Sequence, residues 1–163
     1  MNVFVVTDQT LATTLGDREG VLASKIEELL PGVVRRFDVV AVQATTDTHP
    51  WILSQLQEGG VVLATAVPDT DQIGRHRRET LRMALAHGSS SRIVYMDFDH
   101  LLRWIENDAS ELDWLLEATA EYDCAVIGRG PRSLAAVPER LAFDSGAVAS
   151  ISVADEKTRL VAA

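Results

Sequence analysis

Short runs of apolar, β-branched residues alternate along the chain with segments in which apolar residues recur at helical spacing. This alternation is typical of strands joined by crossover helices, and near-continuous apolar runs indicate strands covered on both faces. The pattern predicts a three-layer α/β domain in which helices cover both faces of a mostly parallel sheet. The predicted strands are Asn2 to Thr7, Phe37 to Gln43, Val61 to Val67, Arg92 to Met96 and Asp123 to Gly128.

Helix boundaries are predicted from capping and terminating residues. Pro31-Gly32 is expected to end the first helix, and Asp47 or Thr48 to cap a second helix that has Pro50 in its first turn and ends at Gly59-Gly60. The apolar face that defines the first helix consists of Leu22, Ile26, Leu29 and Leu30.

The helical pattern continues beyond the fourth predicted strand and then weakens. Asp108 and Glu111 have the spacing of a capping box, which predicts a helix start there. After about Phe143 the periodicity fades. We therefore predict one domain over residues 1–143, followed by an edge segment and tail over residues 144–163.

Composition narrows the classes of function. The chain has 163 residues, 47% of them hydrophobic, and a net charge of -9, which makes nucleic acid an unfavourable partner. No apolar run approaches the roughly 18 residues of a transmembrane helix. The single cysteine, Cys124, lies in an apolar run and indicates a buried thiol in a reducing compartment, so we expect a cytoplasmic protein.

The most specific chemical feature is a buried strand that ends in Asp97-Phe98-Asp99. Ligands of open α/β sheets bind at the carboxyl ends of strands, where two carboxylates can hold Mg²⁺ or Mn²⁺ together with substrate phosphates. The alternative is structural, with Asp99 capping the helix that begins near His100 and Asp97 at a solvated strand end. His100 adjoins this motif and could assist the site.

An arginine on the preceding helix strengthens the ligand interpretation. Helical angles place Arg77 inside the apolar stripe of Ile73, Leu81 and Ala84, where a guanidinium needs an anionic partner. That partner is either a structural carboxylate, such as Asp97 or Asp99, or the diphosphate of a ligand.

Four segments of the chain resemble a known family. Gly74-Arg75-His76-Arg77-Arg78 and Asp97-Phe98-Asp99 resemble the Gly-x-x-x-Ala-Arg-Asn helix and the Asp-x-Asp strand end of GT-A fold nucleotide-sugar glycosyltransferases. Phe37 to Thr48 is similar to the strand and Ser-Thr-Asp-Gly-Thr turn of the family-2 members. Tyr122 to Arg129 is similar to their Ala-Asp-hydrophobic-Gly-Ser-Arg strand. The segments occur in the family's order and spacing.

The resemblance implies specific roles. Asp97 and Asp99 would bind the metal and the donor diphosphate or ribose, Arg77 would lie beside the donor, and Thr45 and Asp47 would lie near the nucleotide. The implied activity is metal-dependent transfer of a sugar from a nucleotide-diphosphate sugar to an acceptor. No residue is identified as the catalytic base.

The chain also departs from the family's pattern. Gln43-Ala44 replaces an Asp-Asp pair that contacts base and ribose in many relatives. Their acceptor half follows the Gly-Ser-Arg strand, and the sequence printed here leaves little room for one after Arg129. We expect a donor-binding core whose acceptor site is completed by a second copy of the chain or by a partner chain.

Two other functions remain open. The first is a non-catalytic nucleotide or nucleotide-sugar binding module. The second is a phosphohydrolase of the haloacid dehalogenase type, in which the first Asp of an Asp-x-Asp strand end is the nucleophile. That family needs a Thr shortly after the motif, where this chain has His100-Leu101-Leu102. Trp104 is a candidate for stacking on a sugar and otherwise covers the core.

Overall fold

Strands and helices alternate in the computed structural model, which describes residues 9–89, 92–120 and 122. The strands are β1 (Gln9–Leu15), β2 (Val39–Thr45), β3 (Val62–Ala66) and β4 (Arg92–Tyr95). The helices are α1 (Ala23–Val34), α2 (Pro50–Glu58), α3 (Ile73–His87) and α4 (Phe98–Ala118), and a short 3₁₀ turn, Thr70–Gln72, precedes α3. Within these residues, no helix has the length and apolar character needed to cross a membrane.

The described strands form one parallel sheet in the order β3-β2-β1-β4. Because crossovers between parallel strands are right-handed as a rule, the connections from β1 to β2 and from β2 to β3 place α1 and α2 on one face of the sheet. The return from β3 to β4 on the far side of β1 places α3 on the other face. The predicted three-layer α/β fold with a parallel sheet is confirmed.

Three predicted strands correspond to β2, β3 and β4, with ends shifted by up to two residues. The strands predicted at Asn2 to Thr7 and Asp123 to Gly128 lie outside the described residues. β1 occupies Gln9–Leu15, a segment that lacks a continuous apolar run and lies outside the predicted strands. Its threonines are β-branched and fit a strand, and Thr10 and Thr13 are buried although they are polar.

The fully buried centre of the face covered by α3 consists of small residues, with partly buried larger hydrophobic residues packed around it. Ala12 of β1, Ala41 of β2 and Ala84 of α3 are fully buried and pack together. At the end of the helix, a Cβ on Gly88 would lie 2.2 Å from Thr10 Oγ1, so only glycine allows this approach. Small side chains therefore bring α3 close to the sheet.

The opposite face is built from large aliphatic side chains. Successive residues of a strand point to opposite faces, so Leu11 lies on the side away from Ala12. α1 packs against β2, and α2 packs against β3 and α1. The large buried aliphatic side chains of β1, β2, α1 and α2 on this side include Leu11, Leu15, Val40, Val42, Ile26, Leu30, Val33, Ile52 and Leu56.

Two predicted helix boundaries are wrong. α1 continues through Pro31 to Val34. The lost N–H donor and the crowding by the proline ring fall in the last turn, where they do not end the helix, and the Arg36 side chain donates to the Gly32 carbonyl. α2 is capped by the His49 ring, which accepts a hydrogen bond from the Trp51 amide, and not by Asp47 or Thr48.

The predicted helix start at Asp108 is present inside a longer element. Asp108 has non-helical backbone angles within α4, and its carboxylate accepts from the Glu111 amide at 3.0 Å. The Glu111 carboxylate accepts from the Trp104 indole at 2.9 Å, which completes a bridge across the kink. The kink therefore results from a helix cap inserted into a continuous run of helix.

Residue contacts divide the chain into two compact units, Met1–Leu112 and Asp113–Ala163. The sheet and the site described below belong to the first unit. In the second unit, the described residues include the end of α4, where the Thr119 hydroxyl donates to the Leu115 carbonyl at 2.8 Å. The predicted boundary at residue 143 lies outside the described residues.

Candidate functional site

A cavity of about 230 Å³ opens at the carboxyl ends of β1 and β4. The chain leaves β1 toward β2 on one side, whereas β4 lies on the other, so this is the point where the strand order reverses and a crevice forms. The end of β1 contributes residues 14–17 to the lining, the following loop contributes Val21 and Leu22, and α4 contributes Asp99 and Arg103.

Asp97 follows β4 directly, and several hydrogen bonds hold its carboxylate. Its Oδ1 accepts from the Thr14 hydroxyl at 3.1 Å and from the Tyr95 hydroxyl at 3.0 Å. Burial, with the neighbouring Asp97 charge, raises the pKa of the Tyr95 phenol above its ordinary value. The phenol therefore stays protonated at neutral pH and remains a donor to Asp97.

Arg77 is the third partner of Asp97. Its guanidinium lies 3.4 Å from Asp97 Oδ2 and over the Tyr95 ring, 5.8 Å from the centroid. The predicted core position of Arg77 is wrong, because its side chain is 50% exposed. The buried residues of α3 are Thr80 and Ala84, and Ile73 is 49% exposed, so the buried stripe is turned away from Arg77.

Asp99 faces the cavity more openly than Asp97. It lies in the first turn of α4, its side chain is 46% exposed, and it lines the cavity. His100 Nε2 lies 3.9 Å from Asp99 Oδ2, a distance at which a protonated imidazole would form an ion pair. Asp99 is therefore the carboxylate of this motif that is more accessible to a ligand.

The loop between β1 and α1 is organised by Asp17, whose side chain is buried. Its two carboxylate oxygens accept from the Val21 amide at 3.0 Å and the Leu22 amide at 2.7 Å, at the start of α1. Its carbonyl also accepts from the His49 amide at 2.9 Å. Asp17 thus fixes the cavity wall and joins the β1–α1 loop to the β2–α2 loop.

The two residues predicted near the nucleotide lie on that second loop. Thr45 is the last residue of β2, and its hydroxyl lies 3.0 Å from the Thr48 hydroxyl. Its side chain lies next to Gly16, where an added Cβ would be 3.5 Å from Thr45 Oγ1. Asp47 is exposed in the turn that follows. Thr45 therefore borders the cavity wall, whereas neither residue contributes to the lining itself.

Polar contacts also join α3 to the sheet beside the site. Gln43 of β2 is buried and accepts a hydrogen bond from the Thr80 hydroxyl at 2.7 Å. On the exposed side of the helix, Arg75 donates to Glu79 at 2.9 Å, and this hydrogen bond lowers the pKa of the Glu79 carboxyl. The hydrogen bond from Thr80 to Gln43 holds α3 against β2. Thr80 lies one helical turn after Arg77.

The donor set fits a divalent metal only if a ligand supplies further oxygens. The described residues contain no group of three or more His, Cys, Asp or Glu side chains placed to hold a metal. Asp97 already has three partners, which leaves Asp99 as the available carboxylate. One or two carboxylates plus substrate phosphates and water is the arrangement typical of Mg²⁺.

Sequence reasoning missed four residues that shape the site, namely Thr14, Asp17, Tyr95 and Arg103. Thr14 lies in β1, Asp17 in the loop after it, and Tyr95 at the end of β4. Continuous apolar runs do not identify polar residues at such positions. Arg103 could have been found, because it follows Asp99 by one helical turn and therefore shares its face.

Of the five residues predicted for donor binding, the structure brings Arg77 and Asp97 into direct contact and places Asp99 in the cavity lining. Thr45 borders this group, and Asp47 lies apart from it in an exposed turn. Comparison of the chain with family models, with curated proteins and with solved structures finds no match.

Proposed function

We propose that the chain binds a nucleotide-diphosphate sugar together with Mg²⁺ or Mn²⁺ at the carboxyl ends of β1 and β4, and transfers the sugar to an acceptor. The observation that carries the proposal is the position of Asp99 in a cavity at the reversal of strand order, beside the hydrogen-bonded Asp97. Crevices at this point of open parallel sheets are where such folds bind ligands.

The chemistry of the site supports a phosphate-bearing ligand. A carboxylate and a diphosphate repel each other unless a cation lies between them, and a hard cation prefers oxygen ligands. When bound, the metal would stabilise the charge that develops on the nucleoside diphosphate as it leaves. Asp99 would hold the cation, while Thr14 and Tyr95 keep Asp97 oriented.

A second candidate is a module that binds a nucleotide or nucleotide sugar without turnover. The observation that favours it is the state of Asp97, whose carboxylate accepts from two hydroxyls and pairs with Arg77. These contacts suit a positioning group better than a base. They also argue against Asp97 as the nucleophile of a phosphohydrolase, because a nucleophilic oxygen must be free to attack.

A thermal-shift panel tests the proposal. Nucleoside diphosphates and nucleotide sugars are added with Mn²⁺ or with a chelator, since a ligand that binds only the folded state raises the melting temperature. We expect stabilisation that requires the metal and is lost in Asp99→Asn. Asp38→Asn, at the amino end of β2, is the matched control and should respond as wild type.

The outcomes separate the candidates. Metal-dependent binding with release of free or transferred sugar supports a transferase, and binding without any release supports the binding module. Equal stabilisation with and without chelator, or no response to any nucleotide, would contradict the metal-dependent site.

A further inference from the structure

Arg103 of α4 is a cation in the cavity that the proposed function has not used. It lies one helical turn after Asp99, and both side chains line the same cavity. Within residues 9–89 and 92–120, its guanidinium forms no ion pair, in contrast to Arg77, which pairs with Asp97. The structure therefore places one acidic and one basic residue, a helical turn apart, in the lining of the same cavity.

Asp17, the other charged residue among the described residues that line the cavity, has hydrogen-bond partners, and so has the neighbouring Asp97. Asp97 pairs with Arg77 and accepts from two hydroxyls. Asp17 accepts from two backbone amides at the start of α1, where the helix dipole also favours a negative charge. Of the charged residues that line the cavity in the described part of the chain, Asp99 and Arg103 are therefore the two available to a ligand, and Asp99 is also 3.9 Å from His100 Nε2.

Aliphatic side chains in the cavity lining favour strong ionic contacts between a ligand and Asp99 or Arg103. Leu15, Val21 and Leu22 line the same cavity, and Val21 is 75% exposed in this structure. A ligand that covers them removes water from the cavity and lowers the local dielectric, so that each ionic contact becomes stronger.

Asp99 and Arg103 carry opposite charges and therefore respond in opposite ways to the cation and to the diphosphate of a metal–diphosphate ligand. A divalent cation alone is attracted by Asp99 and repelled by Arg103. A diphosphate alone is attracted by Arg103 and repelled by Asp99. When both are present, Asp99 would hold the cation, and the guanidinium would be free to contact phosphate oxygens.

We propose that Arg103 and Asp99 together make the cavity selective for a divalent cation and a diphosphate bound at the same time, and that Arg103 contacts the phosphate oxygens. This inference rests on the proposed function and adds to it a residue and a binding order. Arg103 suppresses binding of the bare cation, so the metal enters with the diphosphate.

Binding measurements on the full chain test this. Mn²⁺ alone, inorganic pyrophosphate with chelator, and pyrophosphate with saturating Mn²⁺ are each titrated, with free Mn²⁺ followed by electron paramagnetic resonance and heat by calorimetry. In Arg103→Gln we expect affinity for Mn²⁺–pyrophosphate to fall about tenfold and affinity for Mn²⁺ alone to rise by about threefold. A residue with a merely structural role would not move the two affinities in opposite directions.

Two further variants sharpen the result. Arg103→Lys keeps the charge and loses the planar fork, so it should retain the weak Mn²⁺ affinity and lose part of the pyrophosphate affinity. Arg82→Gln, an exposed arginine of α3, is the matched control and should leave both affinities unchanged. Circular dichroism and melting temperature verify that each variant is folded.

The inference is overturned if wild type does not bind Mn²⁺–pyrophosphate, or if Arg103→Gln leaves both affinities unchanged or shifts them in the same direction. The proposed function would still stand in these cases if a nucleoside diphosphate stabilised wild type only with the metal and did not stabilise Asp99→Asn. Absence of any such stabilisation would instead remove the proposed function.

Discussion

The two faces of the sheet are built in opposite ways. The face toward α1 and α2 is filled by large aliphatic side chains such as Leu11. The face toward α3 has fully buried alanines at its centre, partly buried hydrophobic residues around them, and buried polar contacts such as Thr80 to Gln43. Aliphatic burial contributes most of the stability of a domain, whereas close approach and hydrogen bonds position a helix. The first face therefore supports the sheet, and the second positions Arg77 beside Asp97.

The largest expected effect comes from the aliphatic face. Leu11 is fully buried in β1, so Leu11→Ala should lower the free energy of unfolding by about 3 kcal/mol, through lost burial and the cavity left behind. Leu85→Ala on α3 removes the same atoms from a residue that is 65% exposed, and its effect should be within about 0.5 kcal/mol of zero. Urea denaturation followed by circular dichroism measures both, and equal losses in the two variants would contradict the division of roles.

An intermediate effect is expected on the α3 face. Thr80→Val keeps the shape of the side chain and removes the hydroxyl that donates to the buried Gln43 amide, so the free energy of unfolding should fall by about 1 kcal/mol. Thr119→Val is the control, because that hydroxyl donates to backbone carbonyls one turn earlier in the same segment. If Thr80→Val is as stable as wild type in urea, the Gln43 contact does not hold α3 in place.

The smallest effect on stability is expected at Arg77. Since this side chain is half exposed and Asp97 keeps two hydroxyl donors, Arg77→Met should lower the stability of the unliganded chain by less than about 1 kcal/mol. The difference from wild type should disappear in about 1 M salt, where the Debye length falls to about 3 Å. A loss above about 2 kcal/mol in urea melts would show that the ion pair behaves as a buried one.

Much of the fold could be predicted because parallel strands covered on both faces leave a clear signal of continuous apolar residues. β2, β3 and β4 carry that signal. β1 does not, since Gln9–Leu15 mixes threonine with leucine, and a strand in the middle of the described sheet hides its polar side chains only after its neighbours have paired. Its place between β2 and β4 is a tertiary property that local periodicity does not encode.

The site was predictable to a smaller extent. Asp97 and Asp99 follow from the general rule that strand ends face ligands, and the structure places Asp99 in the cavity lining and Asp97 beside Thr14. The orientation of Arg77 could not be derived, because α3 has few apolar residues and its helical phase is set by the Thr80 and Ala84 contacts with the sheet. Thr14 and Asp17 depend on locating β1 correctly.

The hydrogen bond from Thr14 to Asp97 joins residues 83 positions apart in the chain. Pairing of β1 with β2 closes a much shorter loop, so the conformational entropy lost in closing the chain favours β1, β2 and β3 associating before β4 is added. The cavity then exists only after β4 has joined the sheet. A ligand that binds there would slow unfolding and leave the folding rate nearly unchanged, because its contacts are absent from the transition state.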